Sequence, residues 1–358
     1  MKIFKIMLCA FFALTFCTVT AGADLEKQAG QLKNALPNET RHIMQEIEPT
    51  GADLQSGLKT VVQDAAENIG NHIKSGAKTA VLLLAVVILG GVGGSISPEG
   101  NTAAVNLAVV LSAALISVSE TGSMIATATD TIENMTDFSR IMLPVLGSSA
   151  AAAGKPASAA VLYAATMAFS QLLMTVIKNY ALPLTYAYIA CCVANAAIGG
   201  KVLGRMAKLI KQAITISLTV LIFIYIGYLS ISGAVSGSAD AVSVKAAKLT
   251  ISTLVPVLGG IISDAAETVV AGAGILKNSV GVFGLLAVLA MCLGPFIGLG
   301  IKYLVYKLTA AICGAVADDR VVALIDSISG AFAMIIGMVG ATALMLFVSI
   351  ISGIRMVA

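Results

Sequence analysis

Long apolar stretches separated by short polar interruptions dominate the chain from residue 77 onward. Several approach or exceed the ~20 residues with which an α-helix crosses the hydrocarbon core of a bilayer. In residues 24–76, apolar residues instead recur at helical spacing, in one series from Leu25 to Leu36 and another from Leu54 to Ile73. The pattern predicts an all-α, polytopic membrane protein with roughly eight to ten transmembrane segments, preceded by a short amphipathic helical arm.

The apolar segments and their interruptions predict a detailed division of the membrane region. Residues 77–119 are expected to form two transmembrane spans, and the acidic stretch 120–139 is expected to be a loop. Lys178-Asn179 is expected to separate two later spans. The remaining predicted segments are 141–154, 157–177, 180–199, 212–233, 279–300, 303–317 and 328–353.

An internal duplication is predicted from two recurring features. Leu143-Pro144-Val145-Leu146-Gly147 is similar to Val255-Pro256-Val257-Leu258-Gly259, and Pro183 and Pro295 are separated by the same number of residues as Pro144 and Pro256. The chain is therefore divided into membrane repeat 1 at 141–233 and membrane repeat 2 at 249–353. Repeated apolar units of this length are typical of transporters and channels.

Residues 1–23 have the features of a secretory signal peptide. Lys2 and Lys5 precede an apolar core, and Ala21-Gly22-Ala23 matches a small-residue cleavage site. The arm, residues 24–76, is accordingly expected to be extracytoplasmic. Two interpretations of the arm stay open: it lies on the membrane or on the body of the protein, or it is a docking surface for an extracytoplasmic partner.

The charged loops predict an orientation. Lys201, Arg205, Lys208 and Lys211 form the densest basic run, which the positive-inside rule places in the cytoplasm. An external acidic loop at 120–139 would then require three crossings before the basic run and would make the repeats parallel. Residues 141–154 would rise only ~21 Å, which favours a half-span or re-entrant turn. Inverted repeats of three spans therefore stay open.

Composition supports a membrane protein and argues against several other classes. The chain is 58% hydrophobic and 11% charged, whereas soluble domains have about 25% charged residues. The net charge of +3 is too small and too scattered to indicate nucleic-acid binding. The lipid bilayer is the expected environment.

The sequence predicts no catalytic residues, cofactor or metal site, and therefore no enzyme. It contains no Walker A motif, and its two histidines, His42 and His72, are expected to be solvated because neither has a second ligand at metal spacing. Asp264 and Glu267 share one helical face and would either line an ion path or cap a helix. The candidate structural or functional residues are Pro144, Gly147, Pro183, Pro256, Gly259, Asp264, Glu267 and Pro295.

The second repeat resembles a known family. Val255-Pro256-Val257-Leu258-Gly259-Gly260, Ser263-Asp264, Leu276-Lys277-Asn278-Ser279-Val280-Gly281 and Asp326-Ser327-Ile328-Ser329 are similar to the stage III sporulation protein AE family of endospore-forming Firmicutes. The resemblance extends over about 140–353.

The resemblance implies a membrane subunit of the channel or secretion complex between mother cell and forespore, needed for development after engulfment. It also implies a location in the outer forespore membrane. The implied partners are other membrane proteins of the same operon, including a secretion-type ATPase. A self-sufficient secondary transporter built from two repeats is the alternative, and the lack of intramembrane histidines argues against an intramembrane enzyme.

Overall fold

The computed structural model describes residues 30–45, 47–49, 52–96, 102–152, 156–199, 201–231 and 279–357. These residues are helical and contain no strand, which confirms the all-α fold class. The helices are α1 (Asn38–Ile43), α2 (Leu54–Ile96), α3 (Thr102–Ala152), α4 (Pro156–Val176), α5 (Leu182–Ile198), α6 (Lys201–Ile231), α7 (Ser279–Cys313) and α8 (Asp319–Val357). A π-helical turn, Ile177–Ala181, joins α4 to α5.

Some predictions fall outside the described residues. The signal peptide at 1–23 and the first part of repeat 2, at 249–278, lie there, together with Pro256, Gly259, Asp264 and Glu267. The signal peptide and the internal duplication therefore stay predictions.

Six helical stretches in the described part of the chain are long and apolar enough to cross a membrane. They are α2, α3, the continuous α4–α5 unit, α6, α7 and α8, and they alternate in direction. At one end Asn106 donates a hydrogen bond to Asp318 (3.3 Å) and Gly199 approaches Arg320. At the other end Gly281 packs on Ile354 and Gly353 on Leu146. We call the end with Asp318 and Arg320 the basic end, because α6 begins there with its run of Lys and Arg residues. We call the end with Gly281 and Gly353 the opposite end.

Helix α8 is the centre of the bundle. Its most apolar 18-residue window is completely buried, and α3, α4, α5, α6 and α7 all pack against it. A helix that is apolar on all sides either lies in a protein core or faces lipid, and here the neighbouring helices enclose it. Helix α2 lies outside this group and packs on α7 and α3.

A buried hydroxyl cluster joins three of these helices. Thr166 of α4 lies 3.0 Å from the hydroxyl of Tyr225 on α6 and donates a hydrogen bond to Ser349 of α8 (3.2 Å). Tyr225 and Ser349 are also hydrogen-bonded to each other. Hydroxyl pairs of this kind link helices where apolar burial gives little preference for one neighbour over another.

The predicted acidic loop at 120–139 is wrong, because this stretch is the middle of α3. Three of its four carboxylates form ion pairs among the described residues, and the helix does not break: Glu120 pairs with Lys302, Glu133 with Lys178, and Asp137 with Arg140. Residues 141–154 are likewise no separate half-span, since 141–152 form the last turns of the same helix, with Pro144 inside it.

The breaks predicted near residues 178 and 301 are also absent. At Lys178-Asn179 the chain continues through the π-helical turn, which ends two residues before Pro183. A proline lacks an N–H and crowds the preceding turn, so a locally widened helix can accommodate it. Helix α7 likewise continues through Lys302, whose charge is paired with Glu120.

Without an acidic loop, the argument for three crossings between 120–139 and the basic run loses its premise. One continuous unit, α4–α5, connects residue 156 to the basic end. The α4–α5 unit and α6 form one helical hairpin, and α7 and α8 form another. In both hairpins the first helix begins at the end of the bundle that lies opposite the basic end. Parallel repeats would produce hairpins that begin at the same end of the bundle.

The arm packs on the protein's own body over its described residues. Leu32, Leu36, Met44 and Ile47 are buried, and α1 contacts α7 and α2. The second apolar series continues without a break into the first span, as α2. At the start of α2 the Asp53 carboxylate accepts a hydrogen bond from the Ser56 N–H (3.0 Å), and this bond lowers the pKa of Asp53.

This fold predicts a topology that reporter fusions can test. A fusion at Arg205 is expected to report a cytoplasmic position, because the basic end carries the cationic run. A fusion at Pro156, the first residue of α4, is expected to report the extracytoplasmic side. The same location for both fusions would contradict the alternating arrangement of these helices.

Candidate functional site

A polar cavity of about 840 Å³ lies between α1, α2, α3 and α7. It is formed where the polar first half of α2 runs beside the acidic middle of α3. Both histidines of the chain, His42 and His72, line it. His42 is exposed, in agreement with the expectation that it is solvated, whereas His72 is half-buried. The other polar residues of its wall are Asn38, Glu39, Thr40, Asp64, Asn68, Thr127, Asp130, Thr131 and Asn134.

The inner wall of the cavity is α7 at Gly294 and Pro295. One turn further along α7, Gly298 allows close approach of the His72 ring: a Cβ at Gly298 would lie 2.9 Å from His72 Cε1. His72 thus lies between the cavity and the part of α7 that carries Lys302.

The Lys302 ammonium is the centre of a buried polar network. The residue is only 3% exposed, and its Nζ forms an ion pair with Glu120 of α3. Lys302 Nζ also donates hydrogen bonds to Ser75 Oγ (2.9 Å) and Thr79 Oγ1 (3.3 Å) on α2. Thr79 Oγ1 donates in turn to Glu120 Oε1 (3.2 Å). The network therefore links α2, α3 and α7.

Spacing along each helix explains why these side chains meet. His72, Ser75 and Thr79 follow one another at three and four residues and so share one face of α2. Gly298 and Lys302 are four residues apart on α7 and share a face in the same way. The two faces pack together, and Glu120 completes the contact from α3.

Two buried hydroxyls extend the polar character of these helices. Tyr306 lies one turn beyond Lys302 on α7, and Ser117 lies one turn before Glu120 on α3. The two hydroxyls lie close enough to interact with each other across the contact between α3 and α7. Neither has another hydrogen-bond partner among the residues that the structure describes. Buried polar groups normally find such partners, and here each hydroxyl has only the other.

The arrangement can stabilise charge inside an apolar bundle. A lysine this deeply buried is tolerated only because a carboxylate and two hydroxyls surround it. Ionisable residues within transmembrane helices are rare and are often functional. Within the described ranges no three His, Cys, Asp or Glu side chains are grouped so that they could hold a metal ion.

The proposed motif residues that the structure describes occupy different positions. Pro295 lines the cavity. Pro144 is exposed within α3, and Pro183 is at the start of α5, after the π-helical turn. No heavy atom of the described residues lies within 4 Å of a Cβ built at Gly147. Of the motif residues within the described ranges, Pro295 alone lies at the cavity.

Sequence reasoning missed Lys302 and treated Glu120 as part of a loop. A usable signal was present, since Lys302 is an isolated charge between the apolar stretches 279–300 and 303–317. Such a charge in a continuous helix requires a partner of opposite sign. Which acidic residue that is cannot be read from the sequence.

The fold and the buried network define a multi-pass helical membrane protein. The family model for stage III sporulation protein AE matches residues 39–356, and the chain belongs to that family. The family is named for a stage of sporulation, and its name describes no enzymatic activity.

A curated relative supports the assignment. Stage III sporulation protein AE of Bacillus subtilis (strain 168) is 27% identical over 223 residues, which cover 62% of this chain and 56% of the relative. The match thus spans a little over half of that relative's length. No solved structure matches the chain.

Proposed function

We propose that this chain is a membrane subunit of the channel or secretion complex that links mother cell and forespore, needed for forespore development after engulfment. Its family membership supports a role in sporulation. The mother-cell-derived outer forespore membrane is the proposed location.

The observation that carries the subunit role is the length of α2 and α3. They contain 43 and 51 residues and rise about 65 and 77 Å. Transmembrane helices tilt by up to about 40°, so a hydrocarbon core of about 30 Å accommodates at most about 26 of their residues. About half of α3 therefore extends beyond the hydrocarbon core.

The polar segments of α2 and α3 are expected to lie outside the hydrocarbon core, because the core favours apolar segments. The first half of α2 carries Lys59, Asp64, Glu67 and Lys74, and it lies beside the acidic middle of α3. Together with the arm they enclose the cavity. A membrane protein that projects a polar helical unit of this size has a surface for contacts with other proteins.

The proposed partners are the other membrane proteins of the same operon and a secretion-type ATPase. The sequence contains no Walker A motif, so an ATP-driven function would draw on such a partner.

Deletion and affinity purification test this proposal together. The tagged protein is expected to co-purify from sporulating cells with membrane proteins of its operon. Its deletion is expected to arrest development after engulfment and to leave vegetative growth unchanged. Normal sporulation in the deletion strain, or purification of the protein without these partners, would contradict the proposal.

A secondary transporter is the second candidate, and the buried Lys302–Glu120 pair beside a polar cavity favours it. The two candidates differ in what the purified protein does alone. The subunit role predicts no ion-coupled uptake by the protein in liposomes. Gradient-driven uptake by the protein alone would favour the transporter.

A further inference from the structure

Two adjoining grooves at the basic end contain most of the cations of that end. The first, of about 440 Å³, and the second, of about 400 Å³, share Asn195, Gly204 and Lys208 and so form one continuous surface, the basic groove. Its walls come from α5, α6, α7 and α8. Its charged residues are Arg205, Lys208, Lys211, Lys307, Arg320, Asp319 and Asp326.

The cations of the basic groove are largely uncompensated. Lys307 forms an ion pair with Asp326 (2.6 Å). In the part of the chain that the structure describes, Arg205, Lys208, Lys211 and Arg320 form no ion pair. Helix α6, 31 residues long, also begins at this groove, and the N-terminus of a helix is its positive end.

The fold holds two of these cations in place through glycines. Gly199 has a positive φ of 78°, and the Arg320 guanidinium packs against it: a Cβ there would lie 2.8 Å from Arg320 Cζ. Gly330 of α8 provides room for Lys211, whose Nζ lies 3.4 Å from the position of a Cβ, and for the Tyr188 hydroxyl. Tyr188 is fixed by a hydrogen bond that it donates to the Ser327 carbonyl (2.7 Å).

Exposed apolar side chains lie next to the charges on the same helices. Ile198 is 74% exposed, Val202 69% and Leu209 64%. Along α6, Val202 and Leu209 flank Arg205 and Lys208. Cations beside exposed apolar residues match a ligand with a phosphate at one end and acyl chains at the other.

From this arrangement we propose that the basic groove binds the phosphate headgroup of an anionic membrane lipid. The unpaired cations contact the phosphate, and the exposed apolar residues of α5 and α6 contact the acyl chains. A free phosphate ion offers the same charge without the acyl chains, so it is the alternative source of the ligand.

Native mass spectrometry of the purified full chain in neutral detergent tests the proposal. Phosphatidylglycerol is expected to bind in preference to phosphatidylcholine. The Lys208→Gln/Lys211→Gln variant is expected to lose affinity for phosphatidylglycerol about 25-fold, since each cation near an anionic lipid contributes about fivefold. The Lys208→Arg/Lys211→Arg variant keeps both charges and is expected to retain binding.

The control variant is Lys74→Gln/Lys78→Gln, which removes the same charge from exposed positions of α2. It is expected to bind phosphatidylglycerol as the unaltered protein does. If the groove double variant fails to fold, Lys208→Gln alone alters only an exposed side chain and is expected to weaken binding about fivefold.

Two results would overturn the proposal. The first is equal phosphatidylglycerol affinity in the groove variant, the control variant and the unaltered protein. The second is displacement of the lipid by millimolar inorganic phosphate, since this would identify free phosphate as the ligand of the groove.

Discussion

Replacement of Glu120 by Gln is expected to destabilise the protein by roughly 3–5 kcal/mol, the usual cost of removing one partner from a buried ion pair. The Lys302 ammonium would lose its counter-charge and keep only neutral acceptors, the Ser75 and Thr79 hydroxyls and the introduced amide, in a site where it is 3% exposed. Thermal unfolding of the purified protein and its abundance in membranes measure the effect.

A double-mutant cycle measures the interaction energy between Glu120 and Lys302 separately from the contacts that each makes with other residues. The Glu120→Gln/Lys302→Met variant removes both charges, so it is expected to recover much of the stability lost in Glu120→Gln. If the double variant sporulates poorly although it is stable and abundant, the pair has a function besides structure. That outcome would favour the transporter.

The matched control is Lys307→Met on the same helix. Lys307 also pairs with a carboxylate, Asp326, but both side chains of that pair are about half exposed. Exposed pairs contribute about 0–1 kcal/mol, so the loss of stability is expected to be small. Equal effects of Glu120→Gln and Lys307→Met would contradict a special role for burial.

Replacement of Gly281 by Val is expected to destabilise the contact between α7 and α8 at the opposite end by about 1–3 kcal/mol. A Cβ at this position would lie 2.2 Å from Ile354 Cγ1 and 2.6 Å from Cδ1, far inside van der Waals contact. Because α8 is enclosed by five helices, a displacement there disturbs several contacts at once. Thermal unfolding of the purified variant measures the loss.

A compensating change and a control test this explanation. Ile354→Ala removes the side-chain atoms that a Cβ would meet, and it is expected to restore part of the stability of Gly281→Val. At Gly122 of α3 no heavy atom of the described residues lies within 4 Å of a built Cβ, so Gly122→Val is expected to change stability little. If both glycine variants lose the same stability, the close approach of α7 and α8 is not the cause.

The sequence alone determined the properties that depend on composition and local periodicity. The all-α fold and the multi-pass membrane class follow from long apolar stretches, since a bilayer requires helices of that length. The motifs of repeat 2 also identified the family that the comparison shows. These signals are contained within short segments, so they require no knowledge of which segments meet.

The same local reasoning placed several helix ends incorrectly. Charges at 120–139 and at Lys178 were expected to interrupt spans, yet the helices continue through them. Glu120 and Glu133 pair with lysines of other helices, and Asp130 lines the polar cavity. A charge can lie within such a helix where an ion partner or a polar cavity surrounds it. Which of these surroundings it has depends on tertiary structure.

The composition of the candidate site depends on contacts between residues that are far apart in the sequence. Lys302 and Glu120 are separated by 182 positions, and His42 and His72 come from different helical segments to line one cavity. Helix packing brings these residues together, and the glycines at helix contacts set how closely α2 and α8 approach α7. Only the tertiary structure could decide these contacts, because the stabilisation of a buried charge comes from residues that have no proximity to it along the chain.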